Sequence, residues 1–190
     1  MSITSTFKEI GTGVRMTLFF WIACGLVYPL VINAFAQVAF PNQANGSLVR
    51  NAQGQAIGSS LIGQKFTSDR YFQGRPSSID YKAEASGASQ FSPTNKLLID
   101  RVKTDTAAFE AKNGVKPTID LVTTPGSGLD PHITLEGAAV QVNRIAKVRG
   151  IDPGTVRKLI TEQTEGRFLG IFGEPRINVL VLNLALDKIK

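Results

Sequence analysis

The chain has 190 residues, with 21 Lys and Arg against 15 Asp and Glu, a formal net charge of +6, one His and one Cys. One cysteine excludes a disulfide framework and a cysteine metal centre. The basic residues form no long run and are interspersed with acidic ones, which argues against a nucleic-acid partner, whose binders usually cluster their charge; a mild preference for anionic lipid headgroups fits equally well.

From Met16 to Val49 there is no Asp, Glu, Lys or Arg, and Met16 to Gln37 is almost wholly apolar. A bilayer core needs about 20 such residues as a helix, at about 1.5 Å of rise each, so this stretch is read as one transmembrane helix. Thr17 can return its hydroxyl to the backbone. Asn33 has no such solution and favours a partner helix, and Pro29 deprives a carbonyl of its usual donor and predicts a kink. A buried core helix is disfavoured because no polar face exists over this length. A cleaved signal peptide, with Ala34-Phe35-Ala36 as its small-x-small site, is disfavoured by the length of the run. Lys8 and Arg15 precede the span and the next basic residue is Arg50. The positive-inside rule therefore predicts a cytoplasmic N-terminus and a domain outside, with Trp21 and the phenylalanines around it at one interface.

The expected organisation is a short cytoplasmic N-terminus over 1–15, the span over 16–37, a linker over 38–46 and one extracytoplasmic α+β domain over 47–190. About 150 residues after the span suffice for a single core. Two short apolar stretches around Asn51–Gly54 predict a β-hairpin. Phe66 to Gly74 is aromatic-rich without periodicity, and Pro76 holds Arg75 extended. Ser92 and Pro93 read as the cap and first residue of a helix ending at Asn113-Gly114, with Leu98, Val102 and Phe109 on one face. Ile119–Val122 is a strand candidate. A second helix is expected over Thr134–Arg149, with Leu135, Ala138, Ala139, Val142, Ile145 and Ala146 inward. A third starts at Asp152-Pro153 and stops at Gly166. Phe168–Phe172 and Ile177–Leu182 read as strands, and Leu184–Ile189 as a closing helical turn or two. The mix predicts an α+β fold.

Ser127, Asp130 and His132 lie within six positions. A hydrolytic triad is disfavoured because triad members normally converge from separate segments and no G-x-S-x-G elbow is present. Two ligands are too few for a metal site. The plainer reading is a structured loop, with Gly126 and Gly128 at unusual angles, Asp130 on backbone amides and His132 tying the loop down. No phosphate-binding loop or dinucleotide fingerprint occurs. Arg70, Arg75, Arg144 and Arg176 are candidates to clamp carboxylates bidentately, inside the domain or on a partner. Gln141 and Arg144 share a helix face, and such a polar pair reads as a solvated or partner-facing surface.

Leu61-Ile-Gly-Gln-Lys-Phe-Thr67, Tyr71-Phe-Gln-Gly-Arg-Pro-Ser77, Gly126-Ser-Gly-Leu-Asp-Pro-His-Ile133, Gln141-Val-Asn-Arg-Ile-Ala146, Gly173-Glu-Pro-Arg-Ile-Asn-Val-Leu180 and Leu182-Asn-Leu-Ala-Leu-Asp187 occur in this order. With the N-terminal span, they resemble the C subunit of the bacterial potassium-transporting ATPase, the KdpC family. Gln90-Phe91 and Leu135-Glu136 depart from the pattern. The resemblance implies an accessory chain of an ATP-driven potassium uptake complex in the bacterial inner membrane, with no catalysis of its own. It implies three partners: a channel-like potassium-binding subunit, a P-type ATPase subunit and a small single-span subunit. It also implies a catalytic-chaperone role that raises ATP affinity, with Gln141 in the position proposed to contact nucleotide. No tightly bound cofactor is implied, and ATP is expected to act through the complex. An outside domain conflicts with direct contact to cytoplasmic ATP and favours an indirect effect.

Overall fold

A computed structural model describes residues 3–51 and 53–189. The chain divides into two compact units, with the break between Leu48 and Val49.

The first unit is helical. Helix α1 covers Ile3–Ile22, a π-helical turn covers Ala23–Val27, and α2 covers Tyr28–Ala39. A short α3, Pro41–Ala44, follows. Phe7–Ala39 forms 33 residues long and apolar enough to cross a membrane. Met16 and Trp21 lie in α1, and Pro29, Asn33 and Gln37 in α2. The expected effect of Pro29 takes a defined form here. Proline has no N–H to offer, and the ladder changes register just before it: Tyr28 N–H donates to Ala23 O, five residues back. Insertions of this kind relieve a strained ladder. Near the end of α2, Gln37 Oε1 accepts from Asn45 Nδ2 at 3.1 Å.

The second unit is α+β. Strands β1 (Leu48–Arg50) and β2 (Ala56–Ser59) form the expected hairpin. Residues 60–95 contain no helix or strand. Helix α4 spans Lys96–Asn113 and starts three residues later than Ser92-Pro93 predicts. Its cap is Asn95, whose Oδ1 accepts from Leu97 N–H at 2.8 Å, while Asn95 N–H closes a turn onto Ser92 O. Ile119–Leu121 is a 3₁₀ turn rather than a strand.

Strand β3 (His132–Ile133) leads into α5 (Leu135–Ala139) and α6 (Val142–Arg149). The single helix expected over Thr134–Arg149 is therefore broken at Val140-Gln141. There Gln141 N–H bonds to Ala138 O, three residues back, and the tightened turn re-aims Gln141. Helix α7 (Pro153–Glu162) is capped by Asp152, whose carboxylate accepts from Thr155 N–H. Strand β4 takes Thr164–Glu165, so α7 ends before the expected Gly166.

Strand β5 covers only Arg176–Asn178, and Val179–Leu186 is helix α8. The strand expected over Ile177–Leu182 is thus mostly helix. Asn178 caps it, with Oδ1 accepting from Val181 N–H at 3.2 Å. Because α8 is buried at Val179, Leu180, Leu182, Asn183 and Leu186, it shows no polar face from which a helical period could be read. The stretch Phe168–Phe172 holds a single antiparallel bridge, not a strand.

The sheet order is β3-β5-β4, antiparallel throughout, with Ile133 opposite Ile177 and Thr164 opposite Ile177. Helices α5 and α8 pack on β5, α7 packs on α5, α6 and α8, and α4 packs on α6. Phe72, Ile145, Ile177, Leu182 and Leu186 are fully buried in one core. Phe72 comes from the irregular segment, so that segment needs a firm main-chain anchor.

Candidate functional site

The anchor is a set of polar side chains carried by Gln141 at the α5–α6 break, by α6 and by α8. Asn183 lies in an otherwise apolar helix. Its Oδ1 accepts Phe72 N–H at 2.8 Å and its Nδ2 donates to Phe72 O at 2.9 Å. Gln141 treats the next residue the same way. Its Oε1 accepts Gln73 N–H at 2.8 Å, and its Nε2 donates to Gln73 O and Gly137 O, both at 3.0 Å. Two carboxamides thereby act as two rungs of a sheet for a segment that has no strand partner. Asn183 is 2 % exposed and Gln141 is 0 % exposed.

Two arginines complete the anchor. Arg144 donates to Asp69 O through Nη1, to Tyr71 O and Gln141 Oε1 through Nη2, and to Asn113 Oδ1 through Nε. Arg149 donates to Arg70 O at 2.7 Å and to the Asp187 carboxylate at 2.7 Å, and its guanidinium lies 5.0 Å from the Tyr71 ring centroid. Tyr71 Oη donates to the same carboxylate. The carbonyls of residues 69 to 73 are thus each held by a side chain from α6, from Gln141 just before it, or from α8. Burial pushes the Arg144 guanidinium down from its ordinary value, opposed by the Asp69 charge. The Lys112 ammonium, at 2.6 Å, holds the Asp69 carboxyl below its usual range.

This corrects two expectations. Gln141 and Arg144 do share a helix face, but the face is interior: Arg144 is 7 % exposed. Arg144 also serves carbonyl oxygens and amide groups rather than a carboxylate. The clamp is possible because a planar guanidinium offers five donors in a fixed fork.

A second polar chain runs along the sheet. Arg75 Nη1 donates to Asp130 Oδ2 at 3.1 Å, and His132 Nδ1 is 3.2 Å from Asp130 Oδ1. His132 Nε2 lies 3.9 Å from Glu165 Oε2, which Arg176 Nε meets at 3.0 Å. Arg75 and Arg176 each touch their carboxylate through one nitrogen, not the expected bidentate fork. Asp130 also accepts His132 N–H at 3.0 Å, as the loop reading predicts. Ser127 stands apart from this chain. Its hydroxyl accepts Leu129 N–H at 3.1 Å, while both His132 ring nitrogens face carboxylates, so no base addresses Ser127. The loop is also held at two glycines. A Cβ on Gly63 would sit 2.8 Å from Asp130 O, and one on Gly128, at φ +72°, would sit 2.7 Å from Gly87 O. Gly126, in contrast, has no positive φ.

Burial pushes the Asp130 carboxyl up, but hydrogen bonds from the His132 side chain and main chain outweigh it. With the charges of His132 and Arg75 they hold it at about 2, against an ordinary 3.8. A depressed carboxyl stabilises the fold above its unfolded value, and that stability is lost as pH falls through the folded value. About 1–2 kcal/mol should therefore disappear between about pH 4 and pH 2, allowing for partial solvent screening. Denaturant titrations across this range should show that loss, and Asp130→Asn should flatten it.

The sequence marked Arg75, Asp130, His132 and Arg176 in separate motifs without bringing them together, and it missed Asn183, Arg149 and Tyr71 as members of the anchor. A signal was present for Asn183, because Asn178 and Asn183 are the only polar residues between Ile177 and Leu186.

Fold and site define a class: an α+β domain that follows an apolar helix of membrane-spanning length in the chain, with Gln141, Arg144 and Asn183 turned inward onto the domain's own main chain. The chain belongs to the KdpC family, the c chain of the K+-transporting ATPase, whose family model matches residues 10–188. It is 75 % identical over 186 residues to a potassium-transporting ATPase KdpC subunit of Gloeobacter violaceus, covering 98 % of this chain and 99 % of the relative. A Nostoc KdpC subunit is 48 % identical, covering 96 % and 97 %, and a Bacillus cereus one is 51 % identical, covering 93 % of each.

Proposed function

We propose that this chain is the accessory subunit of a high-affinity, ATP-driven potassium uptake complex. It supports assembly and, as a catalytic chaperone, raises the ATP affinity of the P-type ATPase subunit without hydrolysis or transport of its own. Its partners are that subunit, a channel-like potassium-binding subunit and a small single-span subunit, with membrane lipid around the anchor. The observation that carries the reading is the family match, which runs through the apolar helix and the domain alike. Lys8 and Arg15 before the span support a cytoplasmic N-terminus in the inner membrane and a domain outside.

The effect on ATP is indirect in this proposal. Gln141, the position implied for nucleotide contact, has its oxygen and its nitrogen both bonded within the domain. Releasing either to a ligand would leave buried main-chain groups without partners. The anchor gives the domain a rigid form that can act on the ATPase through a partner subunit.

Detergent extraction followed by pull-down on a C-terminal tag tests the proposal. Recovery of two large membrane subunits is expected, and a lone monomer would refute it. The span contributes to that recovery. Asn33 in α2 is exposed on the chain itself, and an Asn in lipid gains by bonding to a neighbouring helix, about 0.6 kcal/mol on average and up to about 2. Asn33→Leu should lower complex recovery severalfold while leaving membrane insertion unchanged, as measured by carbonate-resistant chain in membrane pellets.

A further inference from the structure

The segment between β4 and β5 is unlike the rest of the domain. Phe168, Leu169, Ile171 and Phe172 are 61–73 % exposed within five residues of sequence. Single exposed apolar residues are ordinary, whereas a continuous apolar patch marks an interaction site. The segment is nevertheless tightly built. Phe168 and Phe172 exchange main-chain hydrogen bonds at 2.8 and 2.9 Å, and Ile171 N–H returns to Phe168 O. Leu169 and Gly170 both have positive φ, +53° and +74°. A leucine in that region carries a conformational cost, and Leu169 offsets it with no packing, since its side chain points to solvent. Below the tip, Arg167 pairs with Glu174 at 2.8 Å and Arg176 with Glu165 at 3.0 Å.

We infer that this hairpin tip is a docking element that inserts its four apolar side chains into an apolar socket on another protein subunit of the same complex. The inference rests on the accessory-subunit reading for the existence of that complex. Two features select a protein socket over a lipid surface. The two arginines of the stem are each neutralised by a glutamate, so no net positive charge remains there to attract anionic headgroups. The turn and the two ion pairs also fix the tip before binding, which lowers the ordering cost of entering a shaped pocket. A fluid bilayer would gain nothing from such a fixed shape.

The test uses the full chain in its complex. With Cys24→Ser to remove the native thiol, Leu169→Cys or, separately, Ile171→Cys is labelled with benzophenone maleimide and irradiated in the purified complex. The expected result is an adduct with another subunit. An adduct with lipid alone, an adduct with a second copy of this chain, or no adduct from either position overturns the inference. In parallel, Leu169→Asn combined with Ile171→Asn should reduce recovery of partner subunits about tenfold, as expected for removal of a central apolar anchor, with the amount of membrane-inserted chain unchanged. If the wild-type chain recovers no partner subunits, the accessory reading itself fails. If the wild type recovers them and the double variant recovers as much, only the docking inference fails.

Discussion

Gln141→Leu should lower the thermal midpoint of the domain by about 6–12 °C in buffer free of nucleotide. Leucine is similar in size but leaves Gln73 N–H and Gln73 O without their partner, and it removes one acceptor from Arg144. An unsatisfied buried polar group costs about 1–3 kcal/mol, so two such groups, partly relaxed, cost about 2–4 kcal/mol. For a domain of this size each kcal/mol moves the midpoint by about 3 °C. The absence of nucleotide gives the experiment its discriminating power. A glutamine whose role was to contact ATP would leave stability unchanged without ATP. A glutamine that secures the segment carrying Phe72 into the core cannot be removed without that loss. Amide exchange should show the same origin, with Phe72 and Gln73 losing protection before the β3-β5-β4 sheet does.

Arg144→Met should cost about 3–5 kcal/mol, measured by urea unfolding. Methionine fills much of the volume but releases Asp69 O, Tyr71 O, Asn113 Oδ1 and Gln141 Oε1 at once. Bonds from a charged donor contribute about 1.5–3 kcal/mol each when taken singly. The four share one side chain and are not additive, which keeps the total well below their sum. Arg144→Lys should recover less than half of the loss, because an ammonium is a point donor and cannot span Asn113 on one side and Tyr71 on the other. Gln141→Leu combined with Arg144→Met should cost less than the two single losses together, since the variants share the Gln141–Arg144 bond.

Much of the domain's outline was legible from local chemistry. The hairpin around Asn51–Gly54, the Asp152-Pro153 helix start and the helix stop at Gly114 follow from turn and cap residues acting within a few positions. The misreadings have a common cause, which is tertiary context. Ile177–Leu182 is rich in β-branched and apolar residues and reads as a strand, yet Asn178 caps a helix there that is covered on most sides. The break at Gln141 is invisible to periodicity, because its apolar neighbours fit one continuous helix. The turn exists to bring the carboxamide onto Gln73, 68 residues away in sequence. Phe168–Phe172 has strand composition, but its place between two short strands leaves it outside the core.

The site shows the same division. Asp130 and His132 are neighbours in sequence, and the bond of Asp130 to a backbone amide could be read from the loop, whereas its bond to the His132 ring could not. The anchor at residues 69–73 could not. Its parts are scattered over α6, α8 and a segment without secondary structure, and only Gln141 and Arg144 among them were singled out in the sequence. The sequence singled out Gln141 and Arg144 but not Asn183, and the geometry gives one physical reason for all three: they do for an irregular segment what a neighbouring strand does in a sheet.

The placement of the domain outside the membrane decides whether its influence on ATP use is indirect, and one measurement addresses it. Protease is added to intact spheroplasts of cells producing the chain with a C-terminal tag, alongside a cytoplasmic marker protein. The account predicts that the tagged domain is cleaved while the marker survives. Protection of the domain until the spheroplasts are lysed would contradict it, and would place Gln141 on the same side of the membrane as ATP.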